Sequence, residues 1–185
     1  MPHIHTDSGQ HDITTSAYIM RVDGAEPALI MHKHKLLNQW LQFGGHVELN
    51  ENIWTALIHE VAEESGYAMS QLKLLQPSLR LKQVGNAILH PSPVSVLTHQ
   101  FSDTDHHHTD IAYTFVARES PAAAVGEGES ADIRTFTAAE LAAIPPGEVP
   151  ENVRNIGLFC LQECLSHWEE VETSQFSIQY PETLG

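Results

Sequence analysis

Mixed α and β is the fold class that this 185-residue sequence predicts, and three observations predict it. Runs of β-branched and aromatic residues recur along the chain and outnumber the helical stretches. Two strongly amphipathic stretches, Glu51–Ser65 and a segment opened by Pro150, are interspersed with those runs. Hydrophobic residues make up 42% and charged residues 18%, a composition able to build a packed core.

Taken in order, residues 1–11 are polar and His-rich and read as a loose tail. Ile13–Val22 reads as a strand, Asp23-Gly24 as a turn and Pro27–His32 as a second strand, which together predict a hairpin. Residues 40–50, WLQFGGHVELN, form a Gly-containing bridge into the amphipathic segment Glu51–Ser65, which Gly66 ends. Strand-like runs follow at Leu72–Val84, Val94–Phe101 and Ile111–Ala117. Residues 119–131, rich in Ala, Gly, Pro and Glu, read as a mobile loop before a short strand at Ile133–Phe136. Thr137 and Glu140 have the spacing of a capping box, in which each side chain satisfies an orphan amide of a helix start. A last helix, at about 150–171, carries an apolar stripe of Val153, Ile156, Phe159, Cys160, Cys164 and Trp168. No repeat is visible, so residues 12–185 are expected to form one domain.

Charge narrows the partners. Nine Lys and Arg against 24 Asp and Glu leave a formal net charge of −15, which disfavours duplex nucleic acid and anionic membranes. A small phosphorylated substrate remains open, provided a metal ion supplies positive charge locally. Two cysteines on one buried helical stripe cannot make a disulfide framework, and the first twenty residues lack a signal-peptide pattern. A cytoplasmic location is the expectation.

The segment Gly45–Tyr67, GHVELNENIWTALIHEVAEESGY, is the most informative. At about 100° per residue, Trp54, Leu57, Ile58 and Val61 fall on one arc that must be buried. Glu60, Glu63 and Glu64 fall on an adjacent arc, where they repel one another. Glu63 and Glu64 also occupy the last turn, against the helix dipole. Such a cluster is either a solvated acidic face or a site for a hard divalent cation that takes oxygen ligands.

The flanking residues resemble the Nudix box. Gly45, five residues, Glu51, seven residues, then His59-Glu60-Val61-Ala62-Glu63-Glu64-Ser65-Gly66-Tyr67 keep that family's pattern in register over 23 residues. The resemblance extends more weakly over about residues 12–142. It implies an α/β/α sandwich with a mixed sheet, and hydrolysis of a nucleoside diphosphate linked to another moiety with Mg²⁺ or Mn²⁺. Carried over, Glu60, Glu63 and Glu64 would be metal ligands and catalytic groups, with Glu51, Gly45 and Gly66 supporting the box. A further carboxylate in the family's late loop would correspond to Glu129, or second to Glu127. Two positions depart from the pattern: His59 stands where the family has Arg, and Phe43 stands where Pro often precedes the glycines. Histidine offers fewer donors than arginine and no permanent charge, so pairing with Glu51 should weaken.

His106-His107-His108 is the second unusual feature. Strand alternation puts His106, His108 and Asp110 on one face. They are either a polar lead-in to a strand or a pocket wall whose imidazoles contact phosphate, hold a second metal or act as a base. His46, beside the double glycine, either faces the substrate or makes ordinary loop hydrogen bonds. The implied partner is a small nucleotide-like phosphorylated substrate, with a homodimer left open as the assembly. Two rival functions stay open: a non-catalytic ligand-binding Nudix domain, and an isomerase of the isopentenyl-diphosphate type, which needs a pocket cysteine.

Overall fold

The computed structural model describes residues 10–85, 87–100 and 107–176. Two long strands, β1 (His11–Arg21) and β7 (His107–Ala117), pair in parallel along all of β1, from His11 opposite His107 to Arg21 opposite Ala117. Both faces of this central pair are covered, as a parallel pair requires. Successive residues of β1 point to opposite layers. Ala17 and Ile19 meet helix α1 (Ile53–Ser65) with Phe115, Trp54, Leu57 and Val61. Tyr18 and Met20 meet the opposite layer, built from α2 (Ala138–Ala143), α3 (Glu151–Phe159) and the helical turns that continue to His167. The architecture is the expected mixed sheet between helices.

Each central strand shares its outer edge between two partners, and this forks the sheet. The C-terminal end of β1 pairs with β2 (Ala28–Lys33), whereas Thr14–Ala17 pair with β4 (Phe43–His46). Likewise β7 pairs with β5 (Leu72–Gln76) at its C-terminal end and with β6 (Ser95–Gln100) along its first half. Short β3 (Trp40–Leu41) and β8 (Ile133–Thr137) extend the sheet from β2, and β9 (Glu169–Glu172) extends it from β5. The fork between β2 and β4 opens a cleft over the polar N-terminal half of β1.

Several boundaries differ from the sequence reading. His11 already belongs to β1 and the Gln10 carbonyl accepts from the His107 amide, while residues 1–9 of the proposed tail lie outside the described residues. The strand begun at Leu72 stops at Gln76, because Pro77 lacks the amide to continue it. The last helix ends at His167, not near residue 171, and the chain then becomes strand β9. The buried stripe runs through Val153, Gly157, Cys160 and Cys164 at ordinary helical spacing, with Leu161 beside it; Phe159 lies about 120° from that stripe and is exposed, and a π-helical turn spans Cys160–Cys164. Ile58 likewise lies at the surface rather than on the buried arc of α1. Both cysteines are core residues. No helix among the described residues is long and apolar enough to cross a membrane.

Candidate active site

Helix α1 is positioned by its ends. Asn52 caps it, its Oδ1 accepting from the Trp54 and Thr55 amides at 2.9 and 3.1 Å, while Thr55 Oγ1 accepts from the Asn52 amide. Gly66 closes the helix in the left-handed conformation, at φ 73°, and its N–H donates to Ala62. With Trp54, Leu57 and Val61 sunk in the core, Glu60 and Glu64 face β4 and are buried beneath it.

The double glycine makes that approach feasible. A Cβ on Gly45 would lie 2.2 Å from a carboxylate oxygen of Glu60. The Gly44 amide donates to Glu64 Oε2 at 2.7 Å. Burial pushes Glu64 up to about 8, opposed by that amide and reinforced by the charges of Glu60, Glu129 and Glu63. Glu60 is pushed up to about 7, again chiefly by burial; nearby His59 lowers it, and Glu63, Glu129 and Glu51 raise it. His32 Nδ1 stands 3.9 Å from Glu64 Oε1, but burial holds His32 down at about 4. At neutral pH this contact joins a neutral imidazole to a largely protonated acid, not two ions.

A cleft of about 440 Å³ opens over these groups. Its walls include Glu64, Gly44 and Gly45 from the box side, Thr14 and Ser16 from β1, and His46, which reaches across to His108. His99, His108 and Asp110 close the far side. Thr14 and Ser16 hydroxyls both donate to Asp110 Oδ1, at 3.0 and 2.8 Å, and Gln42 donates to Ser16 Oγ. The loop over residues 119–131 is tied to the end of α1, contrary to the mobile reading. The Gly126 amide donates to the Glu63 carbonyl and the Ala123 amide to the Gly66 carbonyl. Half-buried Glu129 thereby lines the cleft, while Glu127 is exposed and does not.

A family model of the NUDIX domain matches residues 11–156. The chain belongs to the Nudix family. Among solved structures it is similar to a Nudix-family hydrolase from Clostridium perfringens, at 23% identity and TM-score 0.65 over 84% of this chain and 97% of that one. It is also similar to an Ap4A hydrolase of C. elegans in a binary complex (14% identity, TM-score 0.59, 78% and 91% covered). A third is the NUDIX domain of Shewanella oneidensis NrtR, complexed with ADP ribose (10% identity, TM-score 0.57, 80% and 84% covered). No curated protein sequence matches the chain. Membership of the Nudix family supports, in general terms, hydrolysis of phosphoanhydride bonds.

Against the Nudix pattern, the departure at His59 has a visible effect. His59 Nδ1 lies 3.5 Å from Glu51 Oε1, so contact with Glu51 is kept. Its Nε2 lies 3.0 Å from Glu63 Oε1, on the exposed side of α1. Partial burial lowers the His59 pKa, but the hydrogen bond to Glu63 and the charges of Glu63, Glu51 and Glu60 outweigh it and raise the net value. The structure therefore brings Glu60 and Glu64 together under β4 and leaves Glu63 apart from them.

Of the candidate histidines, His46 and His108 line the cleft and His106 lies outside the described residues. The sequence reading missed Thr14, Ser16, Gln42 and His99 as cleft residues. A signal for the first two exists: Asp12, Thr14 and Ser16 are polar at strand spacing just ahead of the apolar run Ala17–Met20. Trp40 and Phe43 are buried packing residues.

Proposed function

We propose that this Nudix protein is a metal-dependent pyrophosphohydrolase that cleaves a nucleoside diphosphate linked to another moiety. The observation that carries the reading is the pair of buried carboxylates, Glu64 in the cleft wall and Glu60 behind Gly45, held at a cost that stability alone does not explain. Oxygen donors held out of water suit Mg²⁺ or Mn²⁺, and a cation would replace the protons these groups otherwise hold. Glu60 and Glu64 would hold the metal, joined by Glu63 once its carboxylate leaves His59. When bound, the metal neutralises diphosphate oxygens and lowers the pKa of the attacking water. Glu129 is the proposed base that takes the water's proton, and His46 and His108 are placed to contact the substrate's phosphates. A protein of net charge −15 needs such local cations to accept a polyanionic substrate.

A second reading, binding without turnover, is favoured by one feature: His59 holds Glu63 away from the other two glutamates. The isomerase reading has no support in the cleft, since Cys160 and Cys164 face the core from the helical turn that continues α3. A panel of diphosphate-linked nucleotides assayed with Mg²⁺ and Mn²⁺ decides between the first two. The hydrolase requires metal-dependent release of a phosphorylated product, with ¹⁸O from labelled water appearing on phosphate. Glu64→Gln should lower kcat by about a hundredfold or more. Tight binding across the panel with no turnover under either metal overturns the hydrolase in favour of the binding domain.

A further inference from the structure

We propose that Asp12, His46 and His108 form a second metal site at the far end of the cleft, of mixed nitrogen and oxygen donors, that takes a transition-metal dication such as Zn²⁺ or Co²⁺. Strand register brings the three together. Asp12 and His108 are direct partners in the parallel β1–β7 ladder, so their side chains leave the sheet on the same face. His46 is the partner of Thr14 on the other edge of β1, and Thr14 is two residues from Asp12 on that same face. One donor atom from each residue lies within 4.8 Å of the other two.

The distances suit a small coordination sphere. Metal bonds to histidine nitrogen and carboxylate oxygen of about 2.0–2.2 Å put tetrahedral ligands roughly 3.3 Å apart. His46 Nε2 already lies 3.4 Å from Asp12 Oδ2. The His46 and His108 rings meet edge to face with centroids 4.9 Å apart, so rotation of the rings can bring their nitrogens closer. His99, opposite His108 in the β6–β7 ladder with ring centroids 5.4 Å apart, stands where it can supply a fourth ligand or orient His108.

Donor chemistry separates this site from the box. Imidazole nitrogen selects zinc-like cations, whereas carboxylate oxygen alone suits Mg²⁺ and Mn²⁺. Asp12 and His108 are buried, while half-buried His46 opens onto the cleft, so a metal held here would present an accessible position to a ligand in the cleft. The site does not depend on the hydrolase reading, because binding is measured without turnover.

A protonated His46 beside Asp12 makes the same 3.4 Å contact without a metal, so the test must count and place the ion. The full chain, stripped with a chelator, is titrated with Co²⁺ in excess Mg²⁺ that competes at the glutamates. The expected result is one tightly bound Co²⁺ with visible ligand-field bands of nitrogen and oxygen ligation. His46→Ala and Asp12→Asn should each weaken it by at least about tenfold, since even loss of a group that only orients a ligand costs that much. Glu64→Gln should leave it intact. His46, the least buried of the three, gives a variant whose fold can be checked by thermal melting, and His46→Gln serves if His46→Ala melts low. Retention of the Co²⁺ bands in both the His46 and Asp12 variants would place the ion on other histidines of the sequence and overturn the proposal. Loss of the bands in Glu64→Gln alone would place it in the box and overturn it equally. Absence of Co²⁺ binding in the parent does the same.

Discussion

Glu64→Gln keeps the hydrogen bond that Glu64 makes and removes only its ability to ionise, which isolates what burial of that carboxyl costs the fold. The glutamine carbonyl can still accept from the Gly44 amide, now 2.7 Å from Oε2. In the unfolded chain the carboxyl ionises near its ordinary 4.5; in the fold, burial pushes it up to about 8. Because the folded value is the higher one, the folded state holds the proton more tightly. The stability this proton confers is fully present below about pH 4.5 and is lost as pH rises toward 8. At about 1.36 kcal/mol per pH unit, the loss is about 3 kcal/mol by pH 7 and at most about 5 kcal/mol by pH 9. Urea unfolding of parent and variant in a chelator at pH 5, 7 and 9 reads this directly. The two should be alike at pH 5, and the variant should be several kcal/mol the more stable at pH 9. Saturating Mn²⁺ should reverse the order at pH 9, since a cation stabilises only the protein whose ligand remains. A difference that stays constant from pH 5 to pH 9 would refute the reasoning, because it would mean that Glu64 ionises in the fold as it does in the unfolded chain.

Three further substitutions test the geometry. His59→Arg should hold Glu51 with a permanent charge and release Glu63, tightening Mn²⁺ binding by up to about fivefold, the roughly 1 kcal/mol that an exposed ion pair is worth; calorimetric titration showing no change would mean that His59 does not restrain Glu63. Gly45→Ala places a Cβ 2.2 Å from the Glu60 carboxylate, whose flexible end must move. The fold should survive while the thermal shift produced by Mn²⁺ shrinks, and an undiminished shift would show that Glu60 is not a ligand. Gly66→Ala combines a φ of 73° with a Cβ 2.2 Å from the Ala123 carbonyl. It should cost more than about 1 kcal/mol in urea unfolding and speed proteolysis within residues 119–131; an unfolding loss below about 0.5 kcal/mol would contradict the tight docking of that loop.

Elements whose signal is local were legible in the sequence. The first hairpin, α1 and the Thr137–Glu140 capping box depend on residues within one or two turns of one another, and each forms where the pattern places it. Strand β9 was not legible, because Glu-Glu-Val-Glu carries no alternating apolar run and buries only Val171. It exists because Val171 lies opposite Leu74 across β5, a pairing nearly a hundred residues distant. The same limit explains the last helix: apolar residues lie on more than one of its faces, and only the layer packed against it decides that Gly157 and Cys160 are buried while Phe159 is exposed.

The site divides along the same line. The Nudix box is a single helix with its two flanking loops, so spacing places its carboxylates on one arc; it leaves a solvated face and a cation site both open, and the resemblance alone favours the second. What spacing cannot give is where each carboxylate points. Glu60, Glu63 and Glu64 share an arc of α1, yet two are drawn under β4 by the gap at Gly45 and the amide of Gly44. The third is held by a histidine one helical turn behind it. The far wall of the cleft is assembled from β1, β4, β6 and β7, and Asp12 meets His108 only because the parallel ladder sets that register. A one-residue slip in that ladder would turn His108 and Asp110 to the opposite face, away from Thr14 and Ser16. The hydrogen bonds from those two hydroxyls to Asp110 therefore do more than fill the cleft: they favour the one register in which the histidines face it.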